Sequence, residues 1–275
     1  MISIVVPCFN AARWVEKCVE SLLNQNYDPR EYEIILVDNH STDDSRERIR
    51  RYDRVRLLQE REQGSYAARN LGVRESRGEV LAFTDADSVA DPEWLRSIAS
   101  AMRGGAQVVL GSRAAASGAG TVALLASYDD ARVRFILENR RKDSYFGYTG
   151  NMAVRRSAFE KYGPFHTAAR GSDTLFLRRL VSGEGPQAAQ WSGEMRVRHL
   201  ELSSAWMYIR KSFIYARARR RTMHLGQCEV LKPAESLEIF RGVCRGRSAA
   251  DKFSLAVALS MGRLSWFAGS LRVNP

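Results

Sequence analysis

Glu79-Val80-Leu81-Ala82-Phe83-Thr84-Asp85-Ala86-Asp87 reads as an apolar strand that delivers two carboxylates, one residue apart, to its end. A continuous apolar run of this length is what a strand buried on both faces requires. Its polar end then emerges at the edge of the sheet, where open α/β sheets receive ligands. Carboxylates placed this way suit a hard divalent cation that itself grips a diphosphate. An isolated Asp-x-Asp also occurs in ordinary surface loops, so the surrounding pattern has to carry the argument.

Upstream, Ile2 to Pro7 reads as a short buried strand, and Ala11 to Asn24 has the apolar spacing of an amphipathic helix. Glu33 to Val37 gives a second strand ending at Asp38. Ser41-Thr42-Asp43-Asp44 then offers capping residues for a polar helix through about Arg51. Val55 to Gln59 is a third strand and Ser65 to Glu75 a helix; after the strand Glu79 to Thr84, Pro92 to Met102 is another helix and Gln107 to Leu110 a further strand. This alternation predicts an α/β protein.

At 275 residues the chain can bury one large domain or a domain with an appendage. Lys plus Arg number 42 against 31 Asp plus Glu, a net charge of +11 that favours acidic partners: nucleotide sugars, lipid diphosphates, anionic membranes or nucleic acid. Cys8, Cys18, Cys228 and Cys244 form no Cys-x-x-Cys pair and sit mostly within apolar patterns, as buried thiols in a reducing cytoplasm would. No secretory signal is read at the start, no apolar run reaches the length of a membrane span, and no internal repeat stands out.

The order of elements, with Asp38 after one strand and Asp85-Ala86-Asp87 after another, resembles the family-2 glycosyltransferases. Several motifs carry the resemblance: Val5-Val6-Pro7-Cys8-Phe9-Asn10, Ser21-Leu22-Leu23-Asn24-Gln25, Val37-Asp38-Asn39 with Ser41-Thr42-Asp43, Ala68-Arg69-Asn70-Leu71-Gly72, Gly150 to Arg156, and Gly171-Ser172-Asp173. They occur in the family's order over roughly residues 1 to 200. The resemblance implies a GT-A-type (Rossmann-like) mixed central sheet flanked by helices, with a helical C-terminal extension. Residues 1–112 would form the nucleotide-sugar-binding half, 113–200 the acceptor-binding and catalytic half, and 201–275 the basic extension. The small-residue stretch Ala114 to Gly120 would link the two halves.

Site residues follow from the same resemblance. Pro7, Phe9, Asn10, Asp38, Arg69, Asn70, Asp85, Ala86 and Asn151 would line the donor site. A carboxylate at Asp38 can accept a hydrogen bond from a uracil-type imide, although a capping aspartate would look the same in sequence. Asn39 and His40 depart from the usual family form at this point. Arg69 could clamp phosphate bidentately or form a surface salt bridge. Asp87 would be the direct ligand of Mn2+ or Mg2+, with Asp85 contacting ribose or completing the shell and His199 either a further ligand or a structural histidine; the ion's charge would neutralise the departing nucleoside diphosphate. Asp173 would be the general base; Ser172 stands where the family usually has an acid, and a helix N-terminal aspartate is the structural alternative.

Beyond residue 200 the chain turns helical and basic. Ser204 to His224 interleaves Arg210, Lys211, Arg217, Arg219, Arg220 and Arg221 with Trp206, Tyr208, Phe213, Ile214 and Tyr215, which fits an interfacial helix or a packed helix with a solvated basic face. Phe253 to Leu271 is an apolar helix interrupted by Arg263 that could lie in a membrane surface, pack on its neighbour or form a homodimer contact.

The expected function is therefore an inverting, metal-dependent glycosyltransferase moving a sugar from a nucleoside diphosphate, a UDP-sugar first, to a hydroxyl acceptor. A lipid-linked acceptor, cell-surface glycan or glycolipid assembly, and a cytoplasmic location peripheral to the inner face of the membrane complete the expectation. A sugar nucleotidyltransferase is the enzyme alternative, but a glycine-rich, lysine-bearing N-terminal phosphate loop is absent. The other alternative is a non-catalytic basic scaffold. No nucleic-acid motif supports a nucleic-acid partner.

Overall fold

The apolar strand β1 (Ile2–Cys8) lies inside an eight-stranded sheet and is buried along almost its whole length. The computed structural model describes residues 1–116, 119–139, 145–167, 170–201, 203–222 and 231–270. Among the described residues the strand order is β3 (Val55–Gln59), β2 (Tyr32–Asp38), β1, β4 (Val80–Thr84), β7 (Asn151–Arg155), β6 (Val108–Ala115), β8 (Ala189–His199) and β5 (Ser88–Ala90). Strands β2 (Tyr32–Asp38), β3 (Val55–Gln59) and β4 (Val80–Thr84) run parallel with β1, and their crossovers pass through α1 (Val15–Leu23), α2 (Ser45–Ile49) and α3 (Ser65–Arg74). Gly72 lets α3 lie close on β1: a Cβ there would fall 2.4 Å from Val5 Cγ1.

The other half of the sheet changes direction. After the short strand β5 (Ser88–Ala90) and helix α4 (Trp94–Arg103) come β6 (Val108–Ala115), helix α5 (Gly120–Glu138) and β7 (Asn151–Arg155). Strand β7 inserts between β4 and β6 and is antiparallel to both. Helices α6 (Arg156–Tyr162) and α7 (Ser172–Glu184) and a short 3-10 turn lead to β8 (Ala189–His199), which is parallel to β6 and antiparallel to β5. The β6–β8 register shifts between Gly111 and Ser112, so the two strands diverge from simple pairing beside the site. The mixed sheet flanked by helices matches the expectation.

Two cores cover the two faces of the sheet. One packs α1 and α4 on β1, β2 and β8 through Leu22, Trp94 and Ile98. The other stacks Phe83, Phe159, Phe165 and Phe176, with ring centroids as close as 5.1 Å between Phe159 and Phe165. Such edge-on aromatic contacts add to the burial of large apolar surface. Cys8, Cys18 and Cys244 are buried free thiols, while Cys228 lies outside the described residues.

The chain after β8 forms α8 (Ala205–Thr222), α9 (Pro233–Val243) and α10 (Ala249–Ser270). A third apolar cluster joins Leu124, Leu125 and Tyr128 of α5 to Ile239, Leu255 and Ala258 of α9 and α10. The extension thus shares a core with the preceding part of the chain. Strand β6 runs to Ala115, well past the expected end at Leu110, so Ala114 and Ala115 of the expected Ala114–Gly120 link belong to the strand, while Ser117 and Gly118 lie outside the described residues. Among the described residues no helix is long and apolar enough to cross a membrane.

Candidate active site

Strand β4 ends at Thr84, and the turn that follows, closed by Ser88 N–H donating to the Asp85 carbonyl at 3.0 Å, holds Asp85 and Asp87 at the C-terminal edge of the parallel strands. Strand β5 then pairs with the end of β8 so that Ser88 stands opposite His199. Leu200 N–H donates to the Asp87 carbonyl at 2.7 Å and fixes the juncture. The result is a cluster in which one ligand atom each from Asp85, Asp87 and His199 lies within 4.8 Å of the others.

The electrostatics of this cluster are those of a cation site. Asp87 Oδ1 and His199 Nδ1 are buried without a hydrogen-bond partner, a cost that folded proteins normally avoid. Burial, then the neighbouring Asp85 carboxylate, pushes the Asp87 carboxyl up to about 7. Burial also holds the His199 imidazole down at about 4, which leaves it neutral and able to ligate. Two carboxylates and an imidazole suit a divalent ion such as Mn2+ or Mg2+. The donor set and its orphaned atoms fit a divalent cation.

Arg69, on α3 and itself buried, donates through Nη2 to Asp85 Oδ1 at 2.5 Å, while its Nε has no protein partner. Gly150 permits this crowding, since a Cβ there would sit 2.8 Å from Asp85 Oδ2. Ala86 is buried in the turn.

The loops after β1 and β2 are tied to one another. Asn10 and His40 adopt left-handed backbone angles (φ 47° and 65°), which Asn and His tolerate better than most residues. Asn10 accepts from Thr42 N–H at 2.8 Å, and its own N–H donates to Ser41 Oγ. Asp38 is almost fully buried, with one oxygen accepting from Ser41 N–H and the other 3.8 Å from Arg46 Nε. Pro7 leads into this loop, and Phe9 is 54% exposed, an open aromatic face at its rim.

Asp173 lies in the first turn of α7, behind Gly171, whose φ of 85° suits a residue without a Cβ. Its Oδ2 accepts from Thr149 N–H at 3.1 Å, its Oδ1 from Thr174 N–H at 2.9 Å, and the Tyr66 hydroxyl adjoins it. Burial raises its carboxyl above the ordinary aspartate range despite these donors and the nearby Arg69 charge. A raised carboxyl is a better proton acceptor.

Two expected donor contacts find other employment. Asn70 bridges α3 to the chain before α7, its amide donating to the Phe165 carbonyl at 2.8 Å and accepting from Phe165 N–H at 3.1 Å. Asn151 is fully buried: Oδ1 accepts from Trp94 Nε1 at 2.8 Å, and Nδ2 donates to the Ser112 and Met195 carbonyls. Its polar atoms bond to protein, and Asn151 braces β6, β7 and β8 beneath the site. Neither motif reveals in sequence which face its side chain takes.

Sequence reading missed Tyr66, Thr149, Arg113, Glu201 and Lys211. Thr149 immediately precedes one of the motifs, and Tyr66 lies two residues before another. Arg113 stacks 3.7 Å over the Tyr148 ring, and its charge is felt at His199. Lys211, read as part of a basic helix face, pairs with Glu201 at 2.9 Å, and its charge acts on both Asp87 and His199. No local signal distinguishes it from its basic neighbours.

Residues 3–163 match the model of the glycosyl transferase family 2. The chain belongs to this family. Glycosyltransferase AglE of Haloferax volcanii is 33% identical to this family-2 chain over 188 residues, 66% of the chain and 61% of AglE, so the chain spans about three fifths of that relative's length. Among solved structures, the mannosyltransferase PcManGT from Pyrobaculum calidifontis, in complex with GDP-Man and Mn2+, superposes with a TM-score of 0.65 at 18% identity over 98% of the chain and 76% of PcManGT. TarS of S. aureus, residues 1–349 with UDP-GlcNAc, gives 0.59 at 18% identity over 98% of the chain and 79% of TarS. At such identities the likeness is one of fold, and the fold of this family-2 chain is GT-A.

Proposed function

We propose that the protein transfers a sugar from a nucleoside diphosphate to a hydroxyl acceptor with inversion at the anomeric centre, dependent on a divalent cation. The observation that carries this reading is the Asp85, Asp87 and His199 cluster with its unpartnered buried ligand atoms, set at the same edge of the sheet as the buried carboxylate of Asp173. Mn2+ or Mg2+ held by the three residues would supply Lewis-acid stabilisation of the departing diphosphate. Arg69 orients Asp85 through Nη2 and donates through Nη1 to the Ser65 carbonyl, which leaves its buried Nε as the one guanidinium nitrogen without a protein partner. Arg113 and Lys211 add positive charge on the same side.

Asp173 takes the proton of the acceptor hydroxyl, and Tyr66 and Thr149 hold its carboxylate in place. With base and leaving-group stabilisation on separate elements, a single displacement inverts the anomeric carbon. The exposed Phe9 ring is the surface offered to the base, and Asp38, buried beneath the same loop, would have to turn an oxygen toward it for an imide contact, with uridine the first choice. The PcManGT and TarS complexes hold GDP-Man and UDP-GlcNAc, which supports a nucleotide-sugar donor. The acceptor is lipid-linked, in cell-surface glycan or glycolipid assembly, and the protein works at the cytoplasmic face of a membrane; its buried free thiols are in keeping with a reducing compartment.

A thermal-shift screen of nucleoside diphosphates with and without manganese tests the reading, because a ligand that binds the native state raises its melting temperature. A shift that requires both a nucleoside diphosphate and manganese is expected. No shift with any nucleotide in the presence of manganese would refute it.

A further inference from the structure

Helix α10 is apolar on two opposite faces, and its fold-mates cover one of them. Leu255, Ala258, Gly262 and Gly269 turn inward. Added Cβ atoms on the two glycines would lie 3.0 Å from the Tyr208 ring and 2.6 Å from the Phe213 carbonyl, so α10 packs backbone-close along α8. Ser265 Oγ donates to the Ile209 carbonyl at 2.9 Å and locks the pair. The opposite face carries Phe253, Val257, Met261, Leu264 and Phe267, spaced by three or four residues so that they form one stripe. These side chains are exposed, Phe253 at 72% and Leu264 at 69%.

Charge indicates what covers this stripe. Lys252 and Arg263 are exposed and fall along the same border of it, while the helix's acidic residue, Asp251, shares the spacing of the inward face. On α8, parallel to α10, Trp206, Phe213 and Ile214 are exposed in register with exposed Arg210 and Arg217. A second copy docked by a two-fold axis across the stripe would set basic border against basic border. A bilayer with anionic headgroups instead offers hydrocarbon to the stripe and phosphate to the border, where long cationic side chains snorkel.

We infer that the exposed face of α10, continued by Trp206, Phe213 and Ile214 of α8, is a docking surface for an anionic lipid bilayer. This rests on the lipid-linked acceptor reading above for its purpose and deepens it. Helix α8 also carries Lys211, which pairs at 2.9 Å with Glu201, two residues beyond His199, so an ion pair links the docking helix to the chain that follows the cluster's imidazole.

The test is flotation of the full chain with vesicles of phosphatidylcholine alone and of phosphatidylcholine mixed with phosphatidylglycerol, at low and high salt. Recovery with the anionic vesicles is expected to exceed that with neutral ones several-fold and to fall with salt. Phe253→Ser, Leu264→Ser and Phe267→Ser combined should lower recovery several-fold. Lys252→Gln with Arg263→Gln should lower it less and weaken its salt dependence. Both variants should keep the manganese-dependent nucleotide shift, so a loss of that shift in the wild type counts against the transferase reading alone. Absence of wild-type flotation, equal recovery of the triple variant, or equal recovery with neutral and anionic vesicles would overturn the inference. So would light scattering that shows a wild-type dimer turned monomeric by the triple variant without any flotation, which would assign the stripe to a second copy.

Discussion

Ser88 stands opposite His199 in the antiparallel pairing of β5 with β8, and this register brings the imidazole Nδ1 to 3.5 Å from Asp87 Oδ2. Three residues of strand, Ser88–Ala90, therefore complete a candidate cation site whose parts come from distant segments. Slippage of the ladder by one residue would turn His199 to the other face of the sheet.

Asp87→Asn should weaken manganese-dependent nucleotide binding by at least the roughly 10- to 100-fold that loss of a ligand's supporting partner costs. The metal-free fold should be unharmed or stabilised, because a buried carboxylate beside Asp85 is removed. Titration calorimetry with a nucleoside diphosphate and manganese, and melting without metal, check both halves. Unchanged affinity would remove Asp87 from the ligand set.

Manganese affinity should fall as pH drops through about 7, since metal must displace the proton that the raised Asp87 carboxyl then holds. Below that point each pH unit should cost about tenfold. His199, held down at about 4, is already neutral throughout this range and contributes no change. In the metal-free protein the raised Asp87 carboxyl stabilises the fold fully at pH below its unfolded value of about 3.9, and that contribution is lost as pH rises through about 7. Manganese should thus protect most at and above neutral pH, which melting curves across pH will show.

Asp173→Asn should retain nucleotide binding and lose roughly 100- to 10,000-fold in transfer rate, as when a general base is removed and ground-state contacts stay. Calorimetry for the donor beside a transfer assay separates the two. Near-normal transfer would move the base to another residue.

Asn151→Ala should act on stability. It strands the Trp94 indole N–H and the Ser112 and Met195 carbonyls in a buried position, and each stranded group costs about 1–3 kcal/mol. Urea unfolding should show the loss. A variant of native stability with weakened donor binding would place Asn151 in the pocket wall.

The sequence by itself determined the parallel half of this protein. The strands from β1 to β4 are apolar runs separated by periodic helices, a pattern written in local spacing, and their polar ends mark Asp38, Asp85 and Asp87 at one edge of the sheet. Asp173 and His199 were legible through motif resemblance, and their meeting with the rest was not. Tertiary structure alone decided that β7 inserts antiparallel between β4 and β6, that β5 exists to carry His199 to Asp87, and that the amides of Asn70 and Asn151 brace the backbone. Those outcomes depend on pairings between segments far apart in the chain, for which a short stretch of residues holds no signal. The same limit applies to Lys211 and to α10. A helix apolar on both faces has no periodicity to name its buried side, and only packing against α8 and α5 settles which face is left open.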